Sequence, residues 1–210
     1  MVAEMTSREP GPPSREVKLP RAPRVRGELQ FALRNRRSRR AYSREPLVLD
    51  ELSQVLWSAQ GMTSTVGKRT VPSAGALYPL ELHLLAAHVT QLPTGLYDYE
   101  PVRHALLPRR LEDCRAELAV AARNQDCVRT ASALLVIAAV FERTTREYGE
   151  RGVRYVHMEV GHVAQNVYLE ACSLNLGTVL VGAFDDREVK RVLQLPQEEE
   201  PLGLMPLGRL

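Results

Sequence analysis

The feature that most constrains this chain is an unbroken aliphatic run at residues 133–140, with the sequence ALLVIAAV. The run is bounded by polar residues, and its length is typical of a strand rather than a helix. Because apolar residues occupy both the odd and the even positions, both faces of the strand must be covered. The sequence therefore predicts a buried strand inside a layered structure.

Helices are predicted where apolar residues repeat every three or four positions. The longest runs from about Val153 to Leu176, and we expect Gly177 to end it. In a second helix Asp50 is the expected N-cap of an apolar stripe that extends to Ala59. Three more are predicted over about 28–37, over 111–122, and after an expected capping box of Asp185 and Glu188, in a helix ending near Leu195.

Further strands are predicted over 80–87, in a hairpin of 96–99 with 105–107, over TVLVGA at 178–183, and in the tail LGLMPLGRL at 202–210. Strands and helices are intermixed along the chain, which predicts an α+β fold.

Charge and proline divide the chain unevenly. Residues 1–44 carry twelve Lys/Arg and four Asp/Glu, a net of +8, although the whole chain carries only +3. Such a concentration favours a local anionic partner over a uniformly basic surface. Prolines crowd residues 1–25, and we expect an extended N-terminal arm there, followed by one domain over 26–210.

Several functional classes lack support in the sequence. Three scattered cysteines form no CxxC pair and HExxH is absent, so we expect neither a disulfide framework nor a metal site. GxGxxG and P-loop motifs are also absent, and Ser73 is not in a GxSxG elbow. No apolar run approaches a membrane span and the N-terminus has no signal core, so we expect a cytoplasmic protein.

Arg36-Arg37-Ser38-Arg39-Arg40 is the first candidate binding segment. Guanidinium groups bind phosphate bidentately, and a hydroxyl adds a neutral hydrogen bond. A solvated basic face, a nucleic-acid patch or a sorting signal remain alternatives. Few aromatic residues that could stack on bases lie nearby, which weakens the nucleic-acid interpretation.

Three further segments have chemical potential. In PSAGALYP, Gly75 would let a planar ligand approach the backbone, although an ordinary turn with Ser73 as N-cap is the simpler interpretation. In EVGHVAQN, structural roles for His162 and Gln165 are at least as plausible as ligand contacts, and Gly161 suggests a close helix–helix contact. In GAFD, Gly182 follows a strand and could offer its N–H to a ligand, or simply form a turn.

Taken in order, the segments resemble the nitroreductase superfamily from about Glu28 to Leu210. The resemblance is carried by RRSRRAY, LWSAQGMT, PSAGALYPLELHLL, GLYDYEPVRHAL, YGERGVRYVHMEVGHVAQNVYLEA, LGTVLVGAFDD and LMPLGRL. PSAGALYPLE together with the GERGxRY and E-GH-x-x-QN stretch is similar to the SagB-type dehydrogenase branch.

This resemblance implies a nitroreductase-like fold, with a mostly antiparallel central sheet flanked by helices and two entwined domains in a homodimer. It also implies FMN at the subunit interface, with NAD(P)H and a small organic acceptor as reactants and no membrane or nucleic-acid partner. The residues it implicates are Arg36, Arg37, Ser38 and Arg40 with Arg209 for the phosphate and ribityl chain, Ser73, Ala74 and Gly75 from the other subunit, Val181, Gly182 and Ala183 at the flavin ring with the Gly182 N–H near N5, and Gln125 at the pyrimidine edge.

One pair departs from the family pattern. SagB-type azoline oxidases resemble one another in a Lys-Tyr pair before the glycine that corresponds to Gly149, and here that pair is Glu147-Tyr148. A carboxylate replaces the lysine, which could act as a base if its pKa were lowered. A general NAD(P)H-dependent reductase is therefore as plausible a function as an azoline dehydrogenase acting on modified peptides. Tyr148 and Glu147 remain the candidate catalytic residues, and Glu147 could instead pair with Arg143, Arg146 or Arg151. A catalytically silent flavin-fold protein or a basic-arm binding protein is the alternative of another class.

Overall fold

The structure, a computed structural model, describes residues 27–210. The predicted arm at 1–25 lies outside the described residues. The helices are α1 (Glu28–Asn35), α2 (Leu49–Gln60), α3 (Arg115–Ala121), α4 (Asp126–Arg129), α5 (Glu142–Tyr148), α6 (Arg151–Ser173) and α7 (Asp186–Leu193). The strands are β1 (Leu47–Val48), β2 (Leu80–Ala86), β3 (Val89–Thr90), β4 (Gly95–Glu100), β5 (Ala105–Arg110), β6 (Ala133–Ala139), β7 (Leu176–Thr178) and β8 (Glu200–Arg209).

A six-stranded sheet with the order β5-β4-β2-β6-β8-β7 forms the centre of the fold, and every neighbouring pair in it is antiparallel. The short strands β1 and β3 form a separate parallel pair. The α+β prediction and the mostly antiparallel sheet are therefore confirmed.

The aliphatic run forms the inner strand β6, whose residues are all buried. Leu135 and Ile137 face one core, which also contains the apolar stripes of α2 and α6. Leu134 and Val136 face the second core, formed with α3, α4 and α7. The prediction of a strand covered on both faces is confirmed.

The predicted end signals of α2 and α6 are wrong. Helix α2 is N-capped by the extended residue Val48, whose N–H donates to the Glu51 carboxylate at 3.0 Å, so Asp50 lies inside the first turn. Helix α6 ends at Ser173 and the chain turns at Asn175, which has a φ of 56°. Gly177 lies in β7 instead, where an added Cβ would lie 2.8 Å from the Leu210 side chain.

Two other boundaries and one capping box differ from the prediction. The strand predicted over TVLVGA at 178–183 is instead β7, which ends at Thr178. Beyond Thr178, among the described residues, Val181 alone forms a bridge to β8. Helix α3 begins at Arg115, whose N–H donates to the Asp113 carboxylate at 3.0 Å. Asp185 does cap α7, accepting from the Glu188 N–H, but the Glu188 carboxylate binds Arg191, so only half of the capping box forms.

Among residues 27–210 no helix is long and apolar enough to cross a bilayer.

Candidate functional site

The arginine segment lies beside the edge strand β7. The Arg39 N–H donates to the Thr178 carbonyl at 2.9 Å, and Ser38 forms a bridge with the same residue. Tyr168 of α6 links this segment to the chain after β7, because its hydroxyl lies 3.1 Å from Ser38 Oγ and accepts from the Leu180 N–H at 2.7 Å. A tyrosine that sequence reasoning did not single out therefore joins two of the predicted binding segments.

The arginines of this segment are not neutralised by the described part of the chain. The Arg36 guanidinium lies over the Tyr168 ring, 5.4 Å from its centroid, and Arg37 donates to the carbonyls of Arg34 and Arg36. Within residues 27–210 no ion pair to a carboxylate is found for Arg36, Arg37, Arg39 or Arg40. Arg36, Arg37, Arg39 and Tyr168 line a groove of about 160 Å³.

The charge of Arg40 acts on α4, whose N-cap residue is Gln125. Burial raises the pKa of the Cys127 thiol and the charge of Arg40 partly lowers it, so the guanidinium acts on that end of α4. Gln125 Nε2 donates to the Ala183 carbonyl at 3.2 Å and to Ala122 at 3.0 Å. This interaction joins a third predicted segment to the first two.

The segment around Gly182 offers an accessible backbone. Val181 exchanges two hydrogen bonds with Leu204 of β8, which fixes the strand just before the glycine. Gly182 is exposed, and a Cβ built on it would meet nothing within 4 Å. We call this surface the arginine half-site; it comprises Arg36, Arg37, Ser38, Arg40, Gln125, Val181, Gly182 and Ala183.

Arg209 has a carboxylate partner. Its Nη1 and Nη2 bind the two Glu51 oxygens at 2.7 and 3.0 Å, and Nη2 lies 3.5 Å from the Pro46 carbonyl. A phosphate at the predicted position would have to share Arg209 with Glu51.

The PSAG segment forms a different part of the molecule. Its residues make a short 3₁₀ turn in which Gly75 has a φ of 61°, a conformation that disfavours other residues. Ser73 Oγ accepts from the Tyr78 N–H at 2.9 Å. An added Cβ on Gly75 would lie 3.0 Å from the Tyr148 hydroxyl oxygen, so the candidate catalytic tyrosine lies against this turn. We call Ser73, Ala74, Gly75 and Tyr148 the loop half-site.

A buried polar network lies behind the loop half-site. Arg69 Nη1 donates to Gln60 Oε1 at 2.9 Å, and Gln60 Nε2 lies 3.5 Å from Glu159 Oε1. Burial raises the pKa of Glu159, while Ser73, Gln60 and the charge of Arg69 partly lower it. We call Gln60, Arg69 and Glu159 the acid network.

Sequence reasoning assigned no role in the site to these three residues, although Glu159 begins the candidate segment EVGHVAQN. A signal was present for Glu159, because this charged residue lies between Val156 and Val160 in the apolar stripe of α6. The helix–helix contact suggested for Gly161 is not found in the described part of the chain, where an added Cβ would meet nothing within 4 Å. His162 and Gln165 are exposed on the same helix.

Glu147 is exposed next to Tyr148. The suggested pairing with Arg143 or Arg146 is wrong, because Arg143 binds Glu81 and Arg146 binds Glu142 at 2.9 Å.

The two half-sites are not brought together within one chain. Glu159, which interacts with Ser73 of the loop half-site, and Tyr168, which contacts Ser38 of the arginine half-site, are nine residues apart on α6. This corresponds to about 13 Å along the helix axis. No hydrogen bond or ion pair among residues 27–210 joins one half-site to the other. No group of three or more His, Cys, Asp or Glu that could hold a metal is found in the same described range.

Comparison with known proteins identifies similar chains over most of this length. The family model described as "Nitroreductase family" matches residues 33–209. MJ1384 of Methanocaldococcus jannaschii, a candidate nitroreductase, is 50% identical over 194 residues, covering 92% of this chain and 96% of that protein. A solved candidate nitroreductase from Anabaena variabilis superposes with a TM-score of 0.76 at 31% identity, covering 86% of this chain but only 38% of that longer one.

A third relative is a peptide-processing protein. The microcin B17-processing protein McbC of Escherichia coli is 28% identical over 137 residues, which is 62% of this chain and 50% of McbC. The solved microcin synthetase complex McbBCD with truncated pro-MccB17 contains a chain that superposes with a TM-score of 0.71 at 25% identity, covering 94% of this chain and 79% of that one.

Proposed function

The chain belongs to the nitroreductase family, and on that premise we propose that it is an FMN-dependent oxidoreductase exchanging hydride between NAD(P)H and a small organic acceptor. Bound FMN would supply the redox chemistry at its N5 atom. The observation that carries the proposal is the arginine half-site, where arginines without a carboxylate partner among residues 27–210 are linked through Tyr168 to the strand end that leads to the exposed Gly182.

The residues present fit a flavin mononucleotide. Arg36, Arg37 and Arg40 would bind the terminal phosphate, and Ser38 would contact the ribityl chain. The open space at Gly182 would let its N–H reach the ring, with Ala183 and Gln125 beside the pyrimidine edge. One phosphate cluster without an adenosine-binding fingerprint favours FMN over FAD.

We propose a homodimer in which the arginine half-site of one subunit faces the loop half-site of the other. The separation of the half-sites along α6 supports this arrangement, since a flavin on one of them alone would be exposed to solvent. Exposed side chains near the loop half-site offer apolar contact area, with Tyr148 37%, Val153 41% and Met158 52% exposed. The proposed domain is 26–210, with 1–25 as an arm.

The residues beside Gly149 bear on whether the enzyme reduces a small acceptor or oxidises an azoline ring. An exposed carboxylate, Glu147, stands where the azoline oxidases have a lysine, and Tyr148 follows it against the Gly75 turn. We therefore favour reduction of quinone or nitroaromatic acceptors within the SagB-type branch.

Azoline dehydrogenation is the second candidate, and the similarity to McbC favours it. That reaction needs a base to remove a ring proton as hydride leaves. Glu147 would have to provide it, with Tyr148 sharing the proton.

The experiment begins with the colour and flavin content of the purified protein, measured by visible spectrum and chromatography after heat release. Anaerobic flavin reduction by NADPH and reoxidation by menadione, a nitroaromatic or a thiazoline peptide then separates the two candidates. Wild type and the variants Glu147→Gln and Glu147→Lys are compared. Thiazole formation by wild type that Glu147→Gln abolishes would establish the second candidate, and a colourless protein that binds no FMN would support a silent or basic-arm binding protein.

Light scattering tests the dimer. We expect the mass of two chains, and a flavin-loaded monomer would contradict the proposed arrangement.

A further inference from the structure

A cavity of about 320 Å³ lies between α2 and the β4–β5 hairpin. Four leucines form its apolar wall: Leu49 and Leu56 of α2, Leu92 before β4, and Leu106 of β5. Concave pockets of this size and character are typical of small-molecule sites. It differs from both half-sites, whose residues do not line it. Glu51, which binds Arg209, is two residues from Leu49 and therefore about 200° around the helix. It does not line the cavity.

The polar part of the cavity is a three-residue relay. Ser53 Oγ lies 2.7 Å from His104 Nε2, and the Tyr99 hydroxyl lies 2.7 Å from His104 Nδ1. His104 closes the β4–β5 hairpin with a φ of 46°, which a histidine adopts infrequently. The two hydrogen bonds hold its ring against the cavity.

Counting protons shows what this relay can offer to a ligand. A neutral imidazole has one N–H, so it donates to one of the two hydroxyls and accepts from the other. The hydroxyl that accepts the hydrogen bond from the imidazole N–H keeps its own O–H free to donate. Among the described residues neither oxygen has another hydrogen bond, so one hydroxyl proton is available in either tautomer.

The lining also restricts the charge of the ligand. None of the described residues that line the cavity is Lys, Arg, Asp or Glu. A carboxylate or an ammonium group would lose hydration there without an ion partner, which costs more than burying a neutral polar group with one hydrogen bond. An ammonium group also has no lone pair that could accept a hydrogen bond from the spare hydroxyl proton.

We propose that this cavity is a binding site for a small uncharged carbonyl compound. The hydrocarbon part of the ligand packs on the four leucines, and its carbonyl oxygen accepts the spare hydroxyl proton of Ser53 or Tyr99. The site is independent of the flavin proposal.

Isothermal titration of the full chain tests this with four matched probes: benzylacetone, butylbenzene, hydrocinnamate and phenethylamine. We expect benzylacetone to bind about fivefold more tightly than butylbenzene, the effect of one neutral hydrogen bond. Hydrocinnamate and phenethylamine should bind more weakly than benzylacetone. Equal binding of the ketone and the hydrocarbon, or tighter binding of a charged probe, would overturn the assignment.

Variants locate the binding on the molecule. Ala105→Phe fills the cavity and should abolish binding, whereas the matched control Ala116→Phe, on exposed α3 surface, should not. The double variant Ser53→Ala, Tyr99→Phe should lower benzylacetone affinity to that of butylbenzene and leave butylbenzene within about twofold. Ketone binding that survives Ala105→Phe would place the ligand elsewhere, for example at the flavin site, and refute the proposal.

Discussion

The arginine half-site and the surroundings of His83 are both rich in charge, but they are built in opposite ways. His83 is buried in the sheet, with Nδ1 2.6 Å from Asp98 and Nε2 2.8 Å from Glu199. We call these three residues the histidine network. Its charges have partners within the chain, whereas no carboxylate in the described part of the chain pairs with Arg36 or Arg40.

The comparison distinguishes charged groups that stabilise the fold from charged groups that remain available to a ligand. A buried charge is tolerated only where partners compensate for its lost hydration, as in the histidine network. An exposed cluster of like charges keeps its hydration and gains most from a multivalent anion such as a phosphate. The loop half-site lies between these extremes, because its surface turn is supported by the buried acid network.

The largest expected effect is on the histidine network. Burial lowers the pKa of His83, but Asp98 and Glu199 outweigh burial and raise it to about 9. Its stabilisation is fully present below the unfolded pKa of 6.5 and is lost as pH rises through 9, which corresponds to about 3 kcal/mol. Urea unfolding from pH 6 to 10 should show this loss in wild type but not in His83→Gln. The exposed control His88→Gln should behave as wild type, and an identical slope in both variants would contradict the network.

Next in size is the effect of arginine removal on FMN retention. In the proposed FMN complex, Arg40→Ala would remove a charge-assisted hydrogen bond to the phosphate, which is worth about 1.5–3 kcal/mol or ten- to a hundredfold in affinity. Arg44→Ala is the control, since Arg44 lies beyond the half-site. Fluorescence titration of the apoprotein measures both variants. Equal losses would indicate a diffuse basic surface, and the contrast with the histidine network would then disappear.

A smaller effect is expected in the turn of the loop half-site. Gly75→Ala places a side chain on a left-handed residue, at a cost of about 1–2 kcal/mol. Gly67→Ala is a matched control, because Gly67 has a φ of 87° and an added Cβ there meets nothing within 4 Å. Thermal unfolding should show a larger loss for Gly75→Ala, since its Cβ also displaces the Tyr148 hydroxyl. If Tyr148→Phe, introduced together with Gly75→Ala, restores none of the extra stability loss, the contact between the turn and Tyr148 is unimportant.

The smallest effect is expected in the acid network. The pKa of Glu159 is raised, so its stability contribution falls as pH rises from the unfolded value through the folded pKa. Glu159→Gln keeps a hydrogen-bonding side chain without the charge. It should raise the melting temperature at pH 8 and lose that advantage near pH 4, while the exposed control Glu147→Gln should not. A lower melting temperature at pH 8 would show that the ionised carboxylate is stabilising, as the charges are in the histidine network.

Local patterns were sufficient for the main elements of the fold. The aliphatic run at 133–140 and the apolar stripe of α6 each predict which of their residues are buried. The spacing of apolar residues along the chain follows directly from strand or helix geometry. The tail strand and the hairpin were predicted for the same reason. The ordered motifs also located the family, which the comparison then confirmed.

End signals and site geometry depended on the tertiary structure. Gly177 is a plausible helix stop by sequence, but Asn175 makes the turn because β7 must begin at Leu176 to pair with Arg209. Glu159 and Gln60 meet across 99 positions, and His83 and Glu199 across 116, so no local pattern encodes either contact. Sequence alone determined which residues are apolar, basic or flexible. Packing decided which charges acquire partners, because lost hydration makes a buried group depend on neighbours that are distant in the chain.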